Sequence, residues 1–244
     1  MEDRVLKTAL VTGGSRGIGK AIVEELCNNG YTVAFTYKNS ESEAKSLAES
    51  TGALAIKADS ADEAEVVAAV RQAYSHLGKI DCLVNNAGIS SFSLFTDITL
   101  DEWNRIFSVN VTGAFLYSRE VSRYMISEKY GRIINISSIW GLVGSSCEVH
   151  YSASKAALIG LTKALAKELG PSGITVNAIA PGVIDTEMNK ALSDEDLKAL
   201  EDETPLMRMG RAEEVAKCAL YLAGDGADFI TGEVINLSGG FVIT

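Results

Sequence analysis

Leu6-Lys-Thr-Ala-Leu-Val-Thr-Gly-Gly-Ser-Arg-Gly-Ile-Gly19 is the stretch whose reading decides the fold. Leu6 to Val11 is a short apolar run, read as a strand, and it ends in a glycine cluster. Thr12 to Gly19 then forms the turn that opens a helix. Glycines let the backbone turn tightly and let a pyrophosphate approach the helix N-terminus, where free N–H groups and the dipole attract it. The spacing Gly13-x3-Gly17-x-Gly19 differs from GxGxxG, so an ordinary strand-to-helix turn stays open at this point.

Working outward, strand-like and helix-like stretches alternate along the chain. Ala21 to Asn28 has helical spacing with Gly30 as a stop, Thr32 to Tyr37 is β-rich, Glu41 to Ser50 is polar and helical, and Ala53 to Ala58 is a strand. Ser60-Ala-Asp-Glu63 matches a capping box and predicts a helix to about His76. Cys82 to Asn85 is a strand, and a second capping box, Thr99-Leu-Asp-Glu102, predicts one long helix to about Ile126. Arg132 to Ser137 and Ile174 to Ala180 are strands flanking a helix from Ser152 to Leu169, closed by Gly170-Pro171. Pro181 to Gly210 is polar and irregular with one short helix; Arg211 to Ala223 is helical, and Glu233 to Leu237 is a last strand. The strands are mostly continuous apolar runs, which indicates burial on both faces. The expected fold is α/β: a doubly wound, mostly parallel Rossmann-type sheet of about seven strands with helices on both faces. Without repeats or linkers, residues 1–244 read as one domain. Ligands in such sheets bind at the carboxyl ends of the strands.

The 244 residues, 47% hydrophobic, suffice for a substantial core. The acidic balance, 32 Asp and Glu against 22 Lys and Arg, argues against nucleic acid and anionic membranes as partners. Cys27, Cys82, Cys147 and Cys218 form no CxxC pair, so no metal site is expected and a reducing compartment fits. The charged start lacks an apolar signal-peptide core, and no apolar run approaches the roughly 20 residues that span a bilayer. The reading is a cytoplasmic protein.

Gly13-Gly-Ser-Arg-Gly17 also matches the GxSxG nucleophile elbow of hydrolases. A hydrolase then needs an acid and a later His. Only His76 and His150 exist, and no HGGG-type segment is present.

Several further motifs follow in order: Asp59, Asn85-Asn-Ala-Gly88, Asn110, Ser138, Tyr151-x3-Lys155 and Pro181-Gly182. With Thr12 to Gly19 they span essentially the whole chain, and the sequence resembles the short-chain dehydrogenase/reductase family. Within it, the length and the Asn135-Ile-Ser-Ser138 and Thr231-Gly232 contexts are most similar to 3-oxoacyl-(acyl carrier protein) reductases. The resemblance implies reduction of a ketone to a secondary alcohol.

Tyr151 and Lys155, four apart at a helix start, project from one face. A free tyrosine titrates near about 10, and a nearby ammonium lowers that value, which suits a general acid. The resemblance implies that Lys155 also holds the nicotinamide ribose. It implies that Ser138 polarises the substrate carbonyl; strand alternation points Ser137 the other way. Asn110 is unfavourable in mid-helix on propensity. The resemblance implies a water-mediated relay with Lys155; an Asn that binds backbone at a kink is the alternative. It also implies cofactor contacts from Gly13, Ser15, Arg16, Gly17, Ile18, Gly19, Asn86, Ala87 and Gly88, with Asn85 chiefly structural. Asp59 would meet the adenine amino group with Ser60 nearby, and Pro181, Gly182, Ile184 and Thr186 would meet the nicotinamide. Residues 183–210 read as a substrate lid, and Trp140 joins Ser138 and Tyr151 in the substrate pocket.

NAD-binding folds place an acid at the end of the second strand to hold the ribose 2′-hydroxyl. Here that position is Tyr37, followed by Lys38. Arg16 and Lys38 can pair with a 2′-phosphate, so NADPH is the expected cofactor.

Acyl carrier proteins are acidic and need a basic docking surface. Arg123, Lys129 and Arg132, in a locally positive stretch near the expected mouth, are the candidates, and Lys129 matches a docking position of those reductases. The second such position is Ser172 here, and Cys147-Glu-Val-His150 and Trp140 also depart from the pattern. A diketone, a sugar or a cyclic ketone therefore stays open as substrate, with His150 lining the pocket or lying at the surface. A non-catalytic dinucleotide sensor is the alternative of another class, against which the intact Tyr151-x3-Lys155 pair speaks. The family implies a homotetramer.

Overall fold

The computed structural model describes residues 7–187 and 194–243. Among these, seven strands form one parallel sheet: β1 (Lys7–Val11), β2 (Tyr31–Tyr37), β3 (Leu54–Lys57), β4 (Cys82–Asn85), β5 (Gly131–Ile136), β6 (Ile174–Pro181) and β9 (Val234–Leu237). Their order is β3-β2-β1-β4-β5-β6-β9, and every pairing is parallel. All residues of β5 and β6 are buried, as their mostly apolar character predicts, and the polar Arg132, Asn135 and Asn177 are buried with them on hydrogen-bonding partners.

Helices cover both faces. On one side α1 (Gly17–Asn28) and α9 (Ala212–Ala223) press Ile22, Leu26, Val215 and Leu222 against Val11, Phe35, Val84 and Ile134. On the other, α3 (Glu63–Leu77), α5 (Gly113–Glu128) and α7 (Val149–Leu169) bring Val70, Tyr117, Val121, Met125 and Leu169 onto Leu10, Leu83, Ile133 and Val176. Each fully buried Leu or Ile contributes about 2 kcal/mol by leaving water. The strand order turns back between β1 and β4, so the loops after these two neighbours diverge and open a crevice at their carboxyl ends.

Four local expectations differ. The helix predicted from Ser60 is capped by Asp62, whose carboxylate accepts from Glu65 N at 3.0 Å; Asp59 accepts from Ala61 N instead. Ser60 is buried and gives no cap. The long helix after Thr99 is α4 (Leu100–Phe107), then one π-helical turn over Ser108–Thr112, then α5. Two short elements were not anticipated: α6 (Trp140–Val143), and a two-stranded parallel pair of β7 (Ile184–Asp185) with β8 (Gly210–Arg211). The segment read as a lid contains α8 (Asp194–Glu203), while its residues 188–193 lie outside the described residues.

Candidate active site

The glycine turn is shaped for a ligand that needs backbone contact. Gly13 and Gly17 have φ of +64° and +53°, which glycine adopts without strain. A Cβ on Gly19 would stand 2.2 Å from Gly13 O, and one on Gly14 would stand 2.6 Å from Phe35 Cβ. Arg16, extended and exposed at the N-cap of α1, gives no side-chain cap, so the first-turn N–H groups keep their capacity for an anion. Thr12 Oγ1 accepts from Asn86 N and Ala87 N, both at 3.0 Å, and Asn86 Nδ2 donates to Thr12 O and Gly13 O. Asn86, read from sequence as a cofactor contact, is thus seen here bracing the turn. Asn85 is structural, donating to Ser118 Oγ and Asn135 Oδ1. The Gly13 and Gly14 amides donate to Thr36, so the first-turn amides of α1 are the ones left for a ligand, and they fit a dinucleotide pyrophosphate.

At the end of β2, Lys38 and Asp59 form an ion pair at 2.5 Å. Burial pushes the Asp59 carboxyl up, but Lys38 and the Ala61 N–H outweigh it and hold the group below its ordinary value. The two residues read separately as contacts to phosphate and adenine therefore neutralise each other across the place where adenosine would lie. Tyr37 is partly buried beside them.

The polar residues converge at the carboxyl ends of β4 and β5. Tyr151 and Lys155 are both buried on the first turns of α7. Ser138 lies within hydrogen-bonding reach of the Tyr151 hydroxyl and accepts from Trp140 N at 3.1 Å. Ser137 turns away and donates to Lys155 O, as strand alternation requires. Lys155 Nζ donates to Ile136 O at 2.8 Å and lies 5.6 Å from the Tyr151 ring centre. The lowering of the tyrosine by Lys155, inferred from the spacing, is not what sets the phenol here. Burial raises the Tyr151 phenol, Glu148 raises it further, and Ser138 opposes both. Burial also lowers Lys155 to about 8.

Asn110 sits in the π-helical turn, a feature common at functional sites. Its Oδ1 accepts from Ile89 N, and its Nδ2 donates to Ile89 O and Ser154 Oγ. The side chain thus binds backbone at a helix irregularity and pins the loop after β4. Gly88 leaves room between it and the lysine: a Cβ there would stand 3.4 Å from both Asn110 Oδ1 and Lys155 Nζ.

Pro181 O accepts from Ile139 N, and Gly182 N donates to Leu237 O. Ile184 lies on β7, and Thr186 packs against Gly17, joining this loop to the glycine turn. Trp140 opens α6 and meets Phe241 edge-on, with ring centres 5.6 Å apart. A cavity of about 480 Å³ lies on the other side of the loop, between Gly182, Thr204, Leu206 and Gly239. It does not include Tyr151, and the hydroxyl geometry, not the cavity, marks the reacting centre.

Residues 13–242 match the family described as Enoyl-(Acyl carrier protein) reductase. The chain is 44% identical to a doubly substituted short-chain dehydrogenase/reductase of Serratia marcescens, with a TM-score of 0.91 over 96% of this chain and 97% of that one. The chain belongs to the short-chain dehydrogenase/reductase family. It is 43% identical over 240 residues to a 3-oxoacyl-(acyl carrier protein) reductase of Aquifex aeolicus, covering 96% of each chain. It is 43% identical over 235 residues to an acetoacetyl-CoA reductase of Rhizobium meliloti, covering 96% of this chain and 98% of that one. As a short-chain dehydrogenase/reductase, the protein is an oxidoreductase.

Two features of this family member were misread or missed in the sequence. Arg132 is no docking residue: it is buried on β5, ion-paired with Asp228, with its guanidinium 4.4 Å over the Tyr130 ring. Lys129 caps the C-terminus of α5 with φ of +51° and stands exposed. Arg123 pairs with Glu120. Lys129 and Arg132 lie at the amino end of β5, while Ser138 follows its carboxyl end, about 20 Å away at 3.3 Å per residue. They are therefore not near the mouth of this subunit's cleft.

The missed feature is a polar clasp beside Tyr151. Ser90 Oγ donates to Glu148 Oε1 at 2.6 Å, and Ser91 Oγ donates to Glu102 Oε1 at 2.6 Å. His150, fully buried, places Nε2 2.7 Å from Ser91 Oγ. The serine proton is used on Glu102, so Nε2 donates. His150 thus lies neither at the surface nor free in a pocket. The unusual Cys147-Glu-Val-His150 was the signal in the sequence, but its serine partners lie over 50 residues upstream.

Proposed function

We propose that the protein reduces the 3-oxo group of an acyl thioester to the 3-hydroxy compound, with NADPH as reductant. The observation that carries this reading is the convergence of the Ser138 and Tyr151 hydroxyls beside the glycine cradle. Two hydroxyls directed at one point suit a carbonyl oxygen that gains negative charge in the transition state. When bound, the nicotinamide supplies the hydride. Ser138 holds and polarises the oxygen, and Tyr151 donates the proton to it. Lys155, one helical turn along, holds the ribose. Asn110 fixes the loop that covers Lys155. Burial keeps the Tyr151 phenol protonated, which favours its role as a donor in reduction.

Arg16 and Lys38 favour NADPH, since β2 itself ends in Tyr37 and not in an acid that would hold a ribose 2′-hydroxyl. The remaining cofactor contacts proposed are Gly13, Ser15, Gly17, Ile18, Gly19, Tyr37, Asp59, Ser60, Asn86, Ala87, Gly88, Pro181, Gly182, Ile184 and Thr186. The segment 183–210 acts as the lid, and Trp140 walls the substrate pocket. An acidic carrier protein docks through Arg123 and Lys129. Because Lys129 lies about 20 Å from Ser138 along β5, the cleft it serves belongs to a neighbouring subunit of a homotetramer.

The test is NADPH oxidation with acetoacetyl-carrier protein, acetoacetyl-CoA and a small acetoacetyl thioester, beside crotonyl thioester as an alkene control. The ketones should be reduced and the alkene should not, with a lower KM for NADPH than for NADH. Tyr151→Phe should lower kcat about 10²–10⁴-fold while dinucleotide binding persists. Full activity of Tyr151→Phe, or reduction of the alkene alone, would refute the reading.

A further inference from the structure

The clasp that joins Ser90 and Ser91 to Glu148 and His150 has no part in the reaction described above, yet it places a carboxylate beside the reacting hydroxyls. We propose that Glu148 is a specificity-determining residue that admits 3-oxo esters and thioesters and rejects free 3-oxo acids. The inference rests on the reading of the cleft as a 3-oxoacyl reductase.

Glu148 immediately precedes α7 and lies three residues before Tyr151. Its carboxylate is fixed, not free to swing: Ser90 Oγ donates to it at 2.6 Å. The segment around it is held by Ser93 N donating to Cys147 O at 2.8 Å and by the fully buried His150 against Ser91. The side chain is half-buried, so water screens its charge incompletely. That charge reaches the tyrosine, where it adds to burial in raising the phenol.

The ammonium of Lys155 lies the other way along the helix. Lys155 is seven residues beyond Glu148, about 10 Å along the axis. Its Nζ is turned onto Ile136 O, and burial lowers it to about 8. Lys155 still carries its proton near neutral pH, but with Nζ committed to Ile136 O it forms no ion pair with Glu148.

A substrate whose ketone oxygen meets Ser138 and Tyr151 carries its C1 group two bonds from the ketone carbon. In an ester or thioester that group is neutral. In a free 3-oxo acid it is a carboxylate, held in the same partly desolvated cleft as Glu148. Like charges anywhere within about 8 Å of each other, at an effective dielectric constant of about 20–40, disfavour binding on the order of ten-fold or more.

The experiment compares kcat/KM for acetoacetate and for methyl acetoacetate at neutral pH, with NADPH, in the wild type and in Glu148→Gln. The glutamine oxygen still accepts from Ser90, so the clasp is retained. The expected result is a ratio of acetoacetate to methyl acetoacetate that rises about ten-fold in Glu148→Gln, a ratio in which any change in Tyr151 common to both substrates cancels. In the wild type, the same ratio should rise with salt, because screening weakens the repulsion. An unchanged ratio, including a parallel fall on both substrates, would overturn the proposal and leave Glu148 a structural residue. Failure of the wild type to reduce methyl acetoacetate or any 3-oxo thioester would instead overturn the reductase reading, and this inference with it.

Discussion

Replacing Lys155 with Met should make the protein more stable near neutral pH while removing its activity. Lys155 is buried, and burial lowers it from 10.5 to about 8. That difference corresponds to about 3 kcal/mol of penalty on the charged folded form. An unfolded chain holds the lysine proton up to about 10.4, and the folded protein only up to about 8. Between these values the unfolded state binds more protons, so stability rises with pH across that interval, and the full penalty applies below it. Tyr151 acts oppositely: its raised phenol keeps its proton longer when folded, so above about 10 stability falls again. Lys155→Met removes the buried charge but also the bond to Ile136 O, which is worth about 1 kcal/mol. The net gain near pH 7 is about 2 kcal/mol, or about 4–8 °C in Tm for a chain of this size. Near pH 9.5 most of the gain should vanish. Urea unfolding followed by circular dichroism at both pH values, without dinucleotide, measures this; bound cofactor would add its own stabilisation. A wild-type stability that is flat or falling from pH 7 to 9.5, together with a variant no more stable at pH 7, would refute the argument that burial governs Lys155.

Two other substitutions separate binding from structure. Gly19→Ala puts a methyl group 2.2 Å from Gly13 O and 2.4 Å from Asn86 Nδ2. It should cost about 1–3 kcal/mol and weaken NADPH binding at least ten-fold in a fluorescence titration, because the cradle must open. Arg132→Ala should lower stability by about 1–2 kcal/mol through lost packing on Tyr130 and the lost bond to Asp228. It should leave KM for an acyl-carrier-protein substrate unchanged, whereas reversing the charge of Lys129 should raise that KM and spare a small thioester.

Features set by local pattern were legible in the sequence. The apolar runs of β5 and β6 announced a parallel sheet because burial on both faces leaves no room for polar alternation. Tyr151 and Lys155 were legible because i, i+4 spacing fixes a common helix face. What failed depends on partners distant in the chain. Arg132 was counted as surface charge, but period-2 alternation cannot tell a solvent-facing arginine from one whose carboxylate, Asp228, arrives 96 residues later. Ser60 fitted a capping box, yet Asp62 supplies the cap while Ser60 is buried. The π-helical turn at Asn110 has no periodicity of its own in five residues, and it shows only once Ile89 and Ser154 claim both ends of the amide. Lys38 and Asp59 were each read as facing a ligand, and they face each other. An NADPH phosphate must therefore draw Lys38 from a carboxylate already beside it. Cofactor preference at this end is thus a competition between two anions for one ammonium, and Arg16, exposed at the start of α1, is the cation that enters it without giving up a carboxylate partner among the described residues.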